Sequence, residues 1–238
     1  MILLIIIVAT VLSFITWMYI PKQPIRYLLG TLSLLSLLAS TLYLTDHFVN
    51  HRGMTVDTKV TKQEIYSAGD VKANFGLLIT QKIGRQSNHH ILIYRDHKAD
   101  QKPRAHFVPN KKKINEAIKI SANYKQVGSD KAYLITTTKR YVWKTHFDKL
   151  MFGFGGENNE LISQKAEAII PKDYWLVLTP KQAQQLTRLA PQLKADQEKA
   201  LKANPQIAFK MHVLAKENPK ALSKLQVEQL KKALRITD

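Results

Sequence analysis

Three carboxylates and a histidine near the middle of the chain could carry acid–base chemistry. Asp148 follows His146, and Glu157 and Glu160 follow the glycine-rich stretch 153–156. A hydrolase or transferase could use such groups as proton donors and acceptors, provided that the fold gathers them in one cleft. No helix is predicted directly after the glycines, so they do not make a phosphate-binding loop. We expect a β-hairpin turn with exposed carboxylates here.

The familiar catalytic motifs are absent from the sequence. The chain has no cysteine, which removes a thiol nucleophile. It also lacks the G-x-S-x-G elbow of hydrolases, the G-x-x-x-x-G-K-[ST] phosphate loop and the H-E-x-x-H zinc motif. The sequence therefore assigns no catalytic residue.

Two histidine pairs could be considered as metal ligands. His47 and His51 are four residues apart, and His89 and His90 are adjacent at the start of a predicted strand. A protein metal site needs three or four convergent ligands, and neither pair has a third histidine or carboxylate at a suitable spacing. We expect interfacial or surface histidines, with no metal and no cofactor.

A basic segment and a basic pair are the candidate sites for anions. Between Asp96 and Lys113 the chain carries six cations, and a second group, Lys139-Arg140, precedes Tyr141 and Trp143. Cations near a membrane surface attract anionic headgroups by about 1 kcal/mol each. The alternative is a solvated loop. The candidate anion-binding or headgroup-binding residues are Lys98, Lys102, Arg104, Lys111, Lys112, Lys113, Lys139 and Arg140.

Nearly all the charge lies after residue 46. Of 36 Lys and Arg and 18 Asp and Glu residues, only Lys22, Arg26 and Asp46 precede residue 47, so the remainder has a net charge of +17. Such a domain fits an anionic lipid or an anionic wall polymer as a partner. Nucleic acid is disfavoured, because no RNA-binding strand motif accompanies the aromatic residues.

The first 46 residues predict the element that positions this basic domain. Two runs of 19 residues, Ile2–Ile20 and Tyr27–Thr45, contain no charge and are separated by the turn 21–26. Each is long enough as a helix to cross a hydrocarbon core of roughly 30 Å. No basic residue precedes the first run, and no cysteine could carry a lipid, so neither a cleaved signal peptide nor a lipoprotein anchor is expected. We predict a transmembrane helical hairpin.

Small residues form a stripe along each predicted span. Small side chains let helices approach closely in lipid, where no hydrophobic effect drives them together. The two stripes could face each other, or one could dock a partner membrane protein such as a transporter. The predicted helix–helix packing residues are Ala9, Ser13 and Thr16 in the first span and Gly30, Ser33, Ser36 and Ser40 in the second.

The orientation in the membrane is predicted from the positive-inside rule. Lys22 and Arg26 lie in a short turn, which favours a cytoplasmic turn and an extracytoplasmic domain. Arg52, Lys59 and Lys62 after the second span favour the opposite orientation. Because long domains cross membranes largely regardless of charge, we give the short turn more weight.

The rest of the chain predicts a β-rich domain followed by helices. Branched and aromatic runs punctuated by turn residues predict an antiparallel sheet, sandwich or partial barrel. The predicted strands are 56–60, 75–79, 90–94, 132–138, 140–143 and 174–178, and 115–120 could be helix or strand. Cap residues before prolines predict helix starts at Thr179-Pro180, Asn204-Pro205 and Asn218-Pro219, with Pro191 ending the first helix or starting a fourth. The predicted fold class is a membrane-anchored α+β protein, with a hairpin in 1–46, a basic β-rich domain in 47–178 and a helical segment in 179–238.

The order of these parts resembles an uncharacterised family of two-span membrane proteins of lactic acid bacteria. The resemblance is carried by the apolar span opening at Met1, the turn 21–26, the Leu/Ser-rich second span, Thr55-Val56-Asp57, and Tyr174-Trp175 before a Lys/Ala/Gln-rich helical end. It implies a domain of unknown function, with genes beside those of multidrug-efflux transporters. It supplies no functional residue.

Two functions remain open at this point. The favoured one is a non-enzymatic, membrane-anchored interaction module that presents its basic domain to an anionic surface or to another membrane protein. The alternative is an extracytoplasmic hydrolase or transferase that acts on envelope material with Asp148, Glu157, Glu160 or a histidine.

Overall fold

The computed structural model shows an α+β fold and describes residues 1–71, 73–84 and 88–236. Two long N-terminal helices precede eight strands, and three helices close the chain. The helices are α1 (Ile2–Tyr19), α2 (Gln23–Asn50), α3 (Ile114–Ala117), α4 (His146–Phe152), α5 (Pro180–Ala203), α6 (Pro205–Glu217) and α7 (Pro219–Ala233). The strands are β1 (Met54–Glu64), β2 (Gly76–Lys82), β3 (His90–Tyr94), β4 (Arg104–His106), β5 (Ile120–Val127), β6 (Tyr133–Trp143), β7 (Leu161–Pro171) and β8 (Trp175–Leu178).

The chain divides into two compact units. The hairpin unit comprises Met1–Thr58 and Lys139–Ile162, and the sheet unit comprises Lys59–Thr138 and Ser163–Asp238. These borders differ from the predicted ones after residues 46 and 178. They fall inside β1, β6 and β7, because these long strands contribute residues to both units.

The hairpin helices are close to the predicted runs, but the turn between them is shorter. α2 begins at Gln23 with Pro24 in its first turn, so Arg26 lies on the helix and the predicted six-residue turn is wrong. Proline favours the first helical turn because its missing N–H has no partner there in any case. α2 also continues past residue 45 to Asn50, where His51 ends it in a left-handed conformation (φ 53°).

Two four-stranded sheets follow, with strand orders β1-β6-β7-β5 and β4-β3-β2-β8. The prediction of a purely antiparallel domain is wrong, because β2 pairs in parallel with β8, and β5 pairs in parallel with β7. The first pair sets Leu77 opposite Leu176. Parallel neighbours require long crossover connections, and these are invisible in the local alternation of side chains.

Several elements differ from the sequence prediction. The segments 132–138 and 140–143 form one strand, β6, and β5 and β7 were not predicted at all. β7 reads Leu-Ile-Ser-Gln-Lys-Ala-Glu-Ala-Ile-Ile-Pro, which is rich in residues that favour helices. Its inward side chains include Ala166 and Ala168, which are buried in the sheet core. Here tertiary pairing overrides local propensity.

The three predicted C-terminal helix starts are confirmed. The Thr179 side chain accepts from the Gln182 N–H, the Gln182 side chain accepts from the Thr179 N–H, and Asn218 caps α7 through the Ala221 N–H at 3.1 Å. Pro191 neither ends α5 nor starts a new helix, so that prediction is wrong. The helix continues through the proline, although the missing N–H removes one backbone hydrogen bond. Ala183 and Leu186 pack the first half of α5 against Leu77, Leu176 and Leu178.

Candidate functional site

His47 lies at the centre of a buried cluster in the hairpin unit. Its side chain, on the last turn of α2, is 0% exposed. The Nδ1 atom lies 2.6 Å from the carbonyl oxygen of Arg52, and Nε2 lies 2.7 Å from Oε2 of Glu157. Since a carbonyl oxygen only accepts, Nδ1 carries a proton, and Nε2 faces the carboxylate.

The end of α2 brings the Arg52 carbonyl back to the imidazole. The left-handed conformation of His51 reverses the chain immediately after the helix. Asp46 secures this reversal, because its carboxylate accepts from the Asn50 amide at 2.5 Å and from the Arg52 guanidinium. The His51 ring then stacks on Tyr141 with 4.0 Å between centroids.

Aromatic rings enclose the imidazole of His47. It stacks on Phe152, with centroids 4.0 Å apart and planes 9° apart, and on Trp143, with centroids 5.6 Å apart and planes 18° apart. Phe152 in turn packs with Ile2 and Met151 in one buried cluster. The expectation of surface or interfacial histidines is therefore wrong for His47, because the periodicity of α2 shows which face it occupies but not that α4 covers that face.

Glu157 reaches His47 from the glycine-rich stretch. Instead of the predicted β-hairpin turn, α4 is followed by a 3₁₀ turn, Gly153–Gly155, and by Gly156 at φ 73°, a conformation that glycine adopts without strain. The Glu157 side chain is only 17% exposed, so the prediction of an exposed carboxylate is wrong at this position, whereas Glu160 is exposed.

Asp148 and His146 do not join this pair. Asp148 belongs to the first turn of α4, where its backbone N–H donates to the Thr145 hydroxyl at 3.1 Å and its carboxylate accepts from that hydroxyl at 2.5 Å. His146 is exposed on the same helix. Glu157 is thus the candidate acid–base group that contacts a histidine, and its partner is His47 instead of His146.

The geometry of the His47 and Glu157 pair favours a structural role over a catalytic role. Nδ1 is hydrogen-bonded to the Arg52 carbonyl, whereas Nε2 lies against the Glu157 carboxylate without forming a regular hydrogen bond. The His47 side chain is 0% exposed, so a substrate does not reach it from solvent. No group of three or more histidines, cysteines or carboxylates that could hold a metal occurs within the described part of the chain. The pair ties the end of α2 to the loop after α4.

The small residues of the hairpin lie largely at the contact between its helices. Ala9, Ser13, Thr16, Gly30 and Ser33 are buried. The Ser13 hydroxyl donates to Ser33 Oγ at 3.0 Å, and Ser33 donates to the Gly30 carbonyl at 2.9 Å. A Cβ atom added to Gly30 would meet the Trp17 indole at 2.6 Å.

The remaining two small residues behave differently. Ser36 is exposed and Ser40 is half-buried. The Ser40 hydroxyl donates to the Ser36 carbonyl of its own helix at 2.7 Å. The contact between the helices therefore uses the residues nearest the turn in α2 and leaves Ser36 on the outer surface.

The predicted anion-binding residues are all exposed, and the two groups belong to different units. In the sheet unit, Lys113 forms an ion pair with Glu116 at 3.4 Å, and Lys98 lines a small cleft beside the buried Arg95. In the hairpin unit, Arg140 donates to the Asn159 carbonyl at 2.7 Å. The full set comprises Lys98, Lys102, Arg104, Lys111, Lys112 and Lys113 in the sheet unit, and Lys139 and Arg140 in the hairpin unit.

A larger open cleft of about 600 Å³ lies in the sheet unit. His89 at its edge is fixed by two backbone groups, because its Nδ1 accepts from the Ala122 N–H at 3.1 Å and its Nε2 donates to the Phe107 carbonyl at 2.8 Å. Lys165 and Glu167 also line the cleft. Burial lowers the pKa of the neighbouring His90, so that imidazole favours its neutral form. The cleft offers polar side chains but no activated nucleophile among its lining residues.

Comparison with known proteins decides the family. Residues 22–186 match the family described as a domain of unknown function, DUF4811. The chain belongs to the DUF4811 family. No curated protein and no solved structure matches the chain. The DUF4811 match begins at the residue that precedes α2 and ends within α5, so it includes the His47 and Glu157 pair and all eight predicted anion-binding residues.

Proposed function

We propose that this DUF4811 protein is a two-span membrane protein that presents a basic α+β domain at the membrane surface and works as a non-enzymatic binding module. The observation that carries the proposal is the hairpin. Both of its helices are long and apolar enough to cross a membrane, at 18 and 28 residues. Most of their large apolar side chains are exposed instead of being packed in a core.

The polar groups of the hairpin are arranged as lipid requires. The hydroxyls of Thr10, Thr41 and Thr45 donate to the carbonyl one turn earlier in their own helices, at 2.8 to 2.9 Å. The Ser13 hydroxyl donates to Ser33 across the contact between the helices, and the Ser33 hydroxyl donates to the Gly30 carbonyl of its own helix. Such internal bonding keeps hydroxyls from facing hydrocarbon without a partner.

In this proposal the domain lies outside the cytoplasm and its partners are anionic. Lys22 and Arg26 at the closed end of the hairpin support a cytoplasmic turn by the positive-inside rule. The exposed cations of both units support binding to phosphate-rich headgroups or to an anionic wall polymer, and a membrane transporter is the alternative partner.

Single cysteines test the orientation directly, because the native chain contains none. Ile118→Cys lies on an exposed apolar residue of the sheet unit, and Gln23→Cys lies at the hairpin turn. A membrane-impermeant maleimide should label the first variant on intact cells and the second only after lysis. The reverse pattern would place the domain in the cytoplasm.

Salt-dependent binding tests the anionic partner. The full chain in neutral nanodiscs should bind a poly(glycerol phosphate) polymer or anionic vesicles at low salt and release them at high salt. The variant Lys111→Glu, Lys112→Glu, Lys113→Glu should weaken binding and reduce its salt dependence. The matched control, Lys194→Glu, Lys199→Glu, Lys202→Glu, makes the same charge change on exposed positions of α5. Absence of binding at low salt would remove the polyanion partner, and cross-linking in membranes would then test the transporter.

One observation supports the enzyme alternative, which is that Oε2 of Glu157 lies 2.7 Å from Nε2 of His47. If this pair is catalytic, Glu157→Gln abolishes turnover of envelope material while the fold and polyanion binding persist. The binding-module proposal expects no turnover in the native protein, and only a change in stability in the variant.

A further inference from the structure

The short helix α4 and the 3₁₀ turn after it carry an apolar surface that the fold leaves uncovered. Its members are Phe147, Leu150 and Phe154, which are 60%, 50% and 48% exposed. We call these three residues the α4 surface. Met151 and Phe152 on the same segment are buried, so α4 has one face in the protein and a second apolar face outside it.

Contacts within the hairpin unit place the α4 surface beside the open end of the hairpin. The amino group of Met1 donates to the carbonyls of Leu150 at 2.9 Å and Met151 at 3.2 Å. Ile2, the first residue of α1, lies in one buried cluster with Met151 and Phe152. The α4 surface therefore borders the exposed apolar side chains at the start of α1.

The end of α2 meets the α4 surface as well. The Phe154 ring packs edge-on against Phe48, with 6.2 Å between centroids. Phe48 and Val49 are exposed apolar residues beyond the last residue of the uncharged run, on a turn whose other face carries Asp46 and Asn50. Apolar surface thus continues from the outer face of the hairpin onto α4 without an intervening charged side chain from α2.

The polar residues around this surface match a membrane interface. Lys144, His146 and Lys149 are exposed on or next to α4. An apolar face rich in phenylalanine beside cationic side chains is the pattern of segments that lie at the boundary between headgroups and acyl chains. Arg52 and Asp46 pair at the end of α2, where a helix leaving the bilayer reaches water.

We propose that the α4 surface is an interfacial membrane anchor, in which Phe147, Leu150 and Phe154 insert among the lipid headgroups next to the hairpin. This inference rests on the proposed membrane insertion of the hairpin and adds a third attachment point. In this arrangement the His47 and Glu157 pair holds the anchor next to the hairpin, because it joins the end of α2 to the segment that follows α4. The occupant of the surface is lipid, and a protein partner is the alternative that the experiment tests.

Depth measurements on spin-labelled single-cysteine variants of the full chain in nanodiscs test the anchor. The variants are Phe147→Cys, Leu150→Cys and Phe154→Cys. The controls are Lys149→Cys on the polar side of the same helix, Ile118→Cys on an exposed apolar residue of the sheet unit, and Leu12→Cys on the outer face of α1. Accessibility to oxygen, which partitions into lipid, is compared with accessibility to a water-soluble nickel chelate.

The anchor predicts that the three test positions show an oxygen-to-nickel ratio several-fold above that of Ile118→Cys and below that of Leu12→Cys, with Lys149→Cys closer to the aqueous value. If Leu12→Cys is itself aqueous, the membrane insertion of the hairpin fails and the anchor fails with it. If Leu12→Cys lies in lipid and the test positions match Ile118→Cys, the anchor alone is wrong. Low accessibility of the test positions to both reagents would indicate a protein cover and would also overturn the proposal.

A second variant tests whether the spin label enters lipid by its own hydrophobicity, without any contribution from the phenylalanine side chains. In Phe147→Ser, Phe154→Ser, the label at Leu150→Cys should move to the aqueous ratio while Leu12→Cys is unchanged, because the hairpin stays inserted. An unchanged depth at residue 150 would show that the hairpin alone sets the position of α4 and that the phenylalanines contribute nothing.

Discussion

The hairpin unit and the sheet unit bury different kinds of side chain. At the end of the hairpin, the buried cluster is small and surrounds an ionisable group, His47, with Phe152, Trp143 and the Glu157 carboxylate. In the sheet unit the main core cluster is apolar, with Ala122, Ala166 and Ala168 beside larger aliphatic and aromatic residues. The first arrangement depends on a polar pair, and the second depends on shape.

The two units are therefore sensitive to different kinds of substitution. A buried pair of ionisable side chains contributes little net stability when complete, but the loss of one partner leaves the other without compensation. A close-packed apolar core contains no such pair, yet it tolerates added volume poorly. Removal of one polar partner therefore tests the hairpin unit, and added volume tests the sheet unit.

The largest effect is expected when one partner of the buried pair is removed. His47→Leu leaves the Glu157 carboxylate facing aromatic rings and should destabilise the hairpin unit by about 3 kcal/mol. Hydrogen exchange of α4 amides in detergent micelles measures this, since the exchange of β2 amides reports the sheet unit separately.

Two further variants sharpen that result. His47→Leu combined with Glu157→Leu removes both polar side chains and should recover most of the lost protection. His146→Leu, at an exposed histidine of α4, should change protection by less than about 0.5 kcal/mol. If the double variant is no more stable than His47→Leu, packing of the imidazole matters more than its contact with Glu157.

The sheet unit should be broken by added volume. Gly76 lies against the Trp175 indole, and a Cβ atom there would stand 2.2 Å from the ring. Gly76→Ala should therefore destabilise the sheet unit by about 1–3 kcal/mol, measured by urea unfolding and by exchange of β2 amides. Gly128→Ala is the matched control, because nothing lies within 4 Å of its added Cβ. Equal losses in the two variants would refute the packing explanation.

The contact between the hairpin helices should respond more weakly. Ser33→Ala removes the acceptor for the Ser13 hydroxyl and should weaken the packing of α1 on α2 by about 0.6 kcal/mol, the usual size of such bonds in membranes. Ser36→Ala changes the same residue type on an exposed position and should have no effect. Steric trapping in bicelles compares the two, and equal responses would show that the hydroxyl contact contributes nothing.

The smallest effect is a pH dependence in the sheet unit. Burial lowers the pKa of His90, with Lys82 and His89 acting in the same direction, so the folded state binds fewer protons there than the unfolded state. The stability from this group is fully present above the unfolded pKa of about 6.5 and is lost as the pH falls through the lowered folded pKa. His90→Asn should flatten the decline in the unfolding midpoint between pH 7.5 and pH 5.5. The same slope in both proteins would contradict this assignment.

The sequence predicted those elements whose signals are local. The apolar runs predicted α1 and the centre of α2, and the Thr179 capping box marked the start of α5 to the residue. The segment 90–94 coincides with β3. In each case the residues that define the element are consecutive or one helical turn apart, so the pattern can be read without knowing what packs against it.

The sequence predicts individual residues of the candidate site but not the contact between them. The sequence singles out His47 and Glu157 separately, but 110 positions separate them and their contact depends on α4, which the sequence analysis does not predict. A signal for α4 was present in Thr145 followed three residues later by Asp148, which is a capping pattern. The exposed face of α4 carried no signal by itself, because Phe147 and Leu150 are ordinary core residues until the structure shows that they face outward.

The sequence alone therefore determined the hairpin, the excess of positive charge after it and the helical end of the chain, because length, charge and cap residues act locally. Tertiary contacts account for the mixed sheets, the burial of His47 against Glu157 and the uncovered α4 surface beside the hairpin. Parallel pairing and burial depend on segments far apart in the chain, and no local pattern specifies which of them will meet.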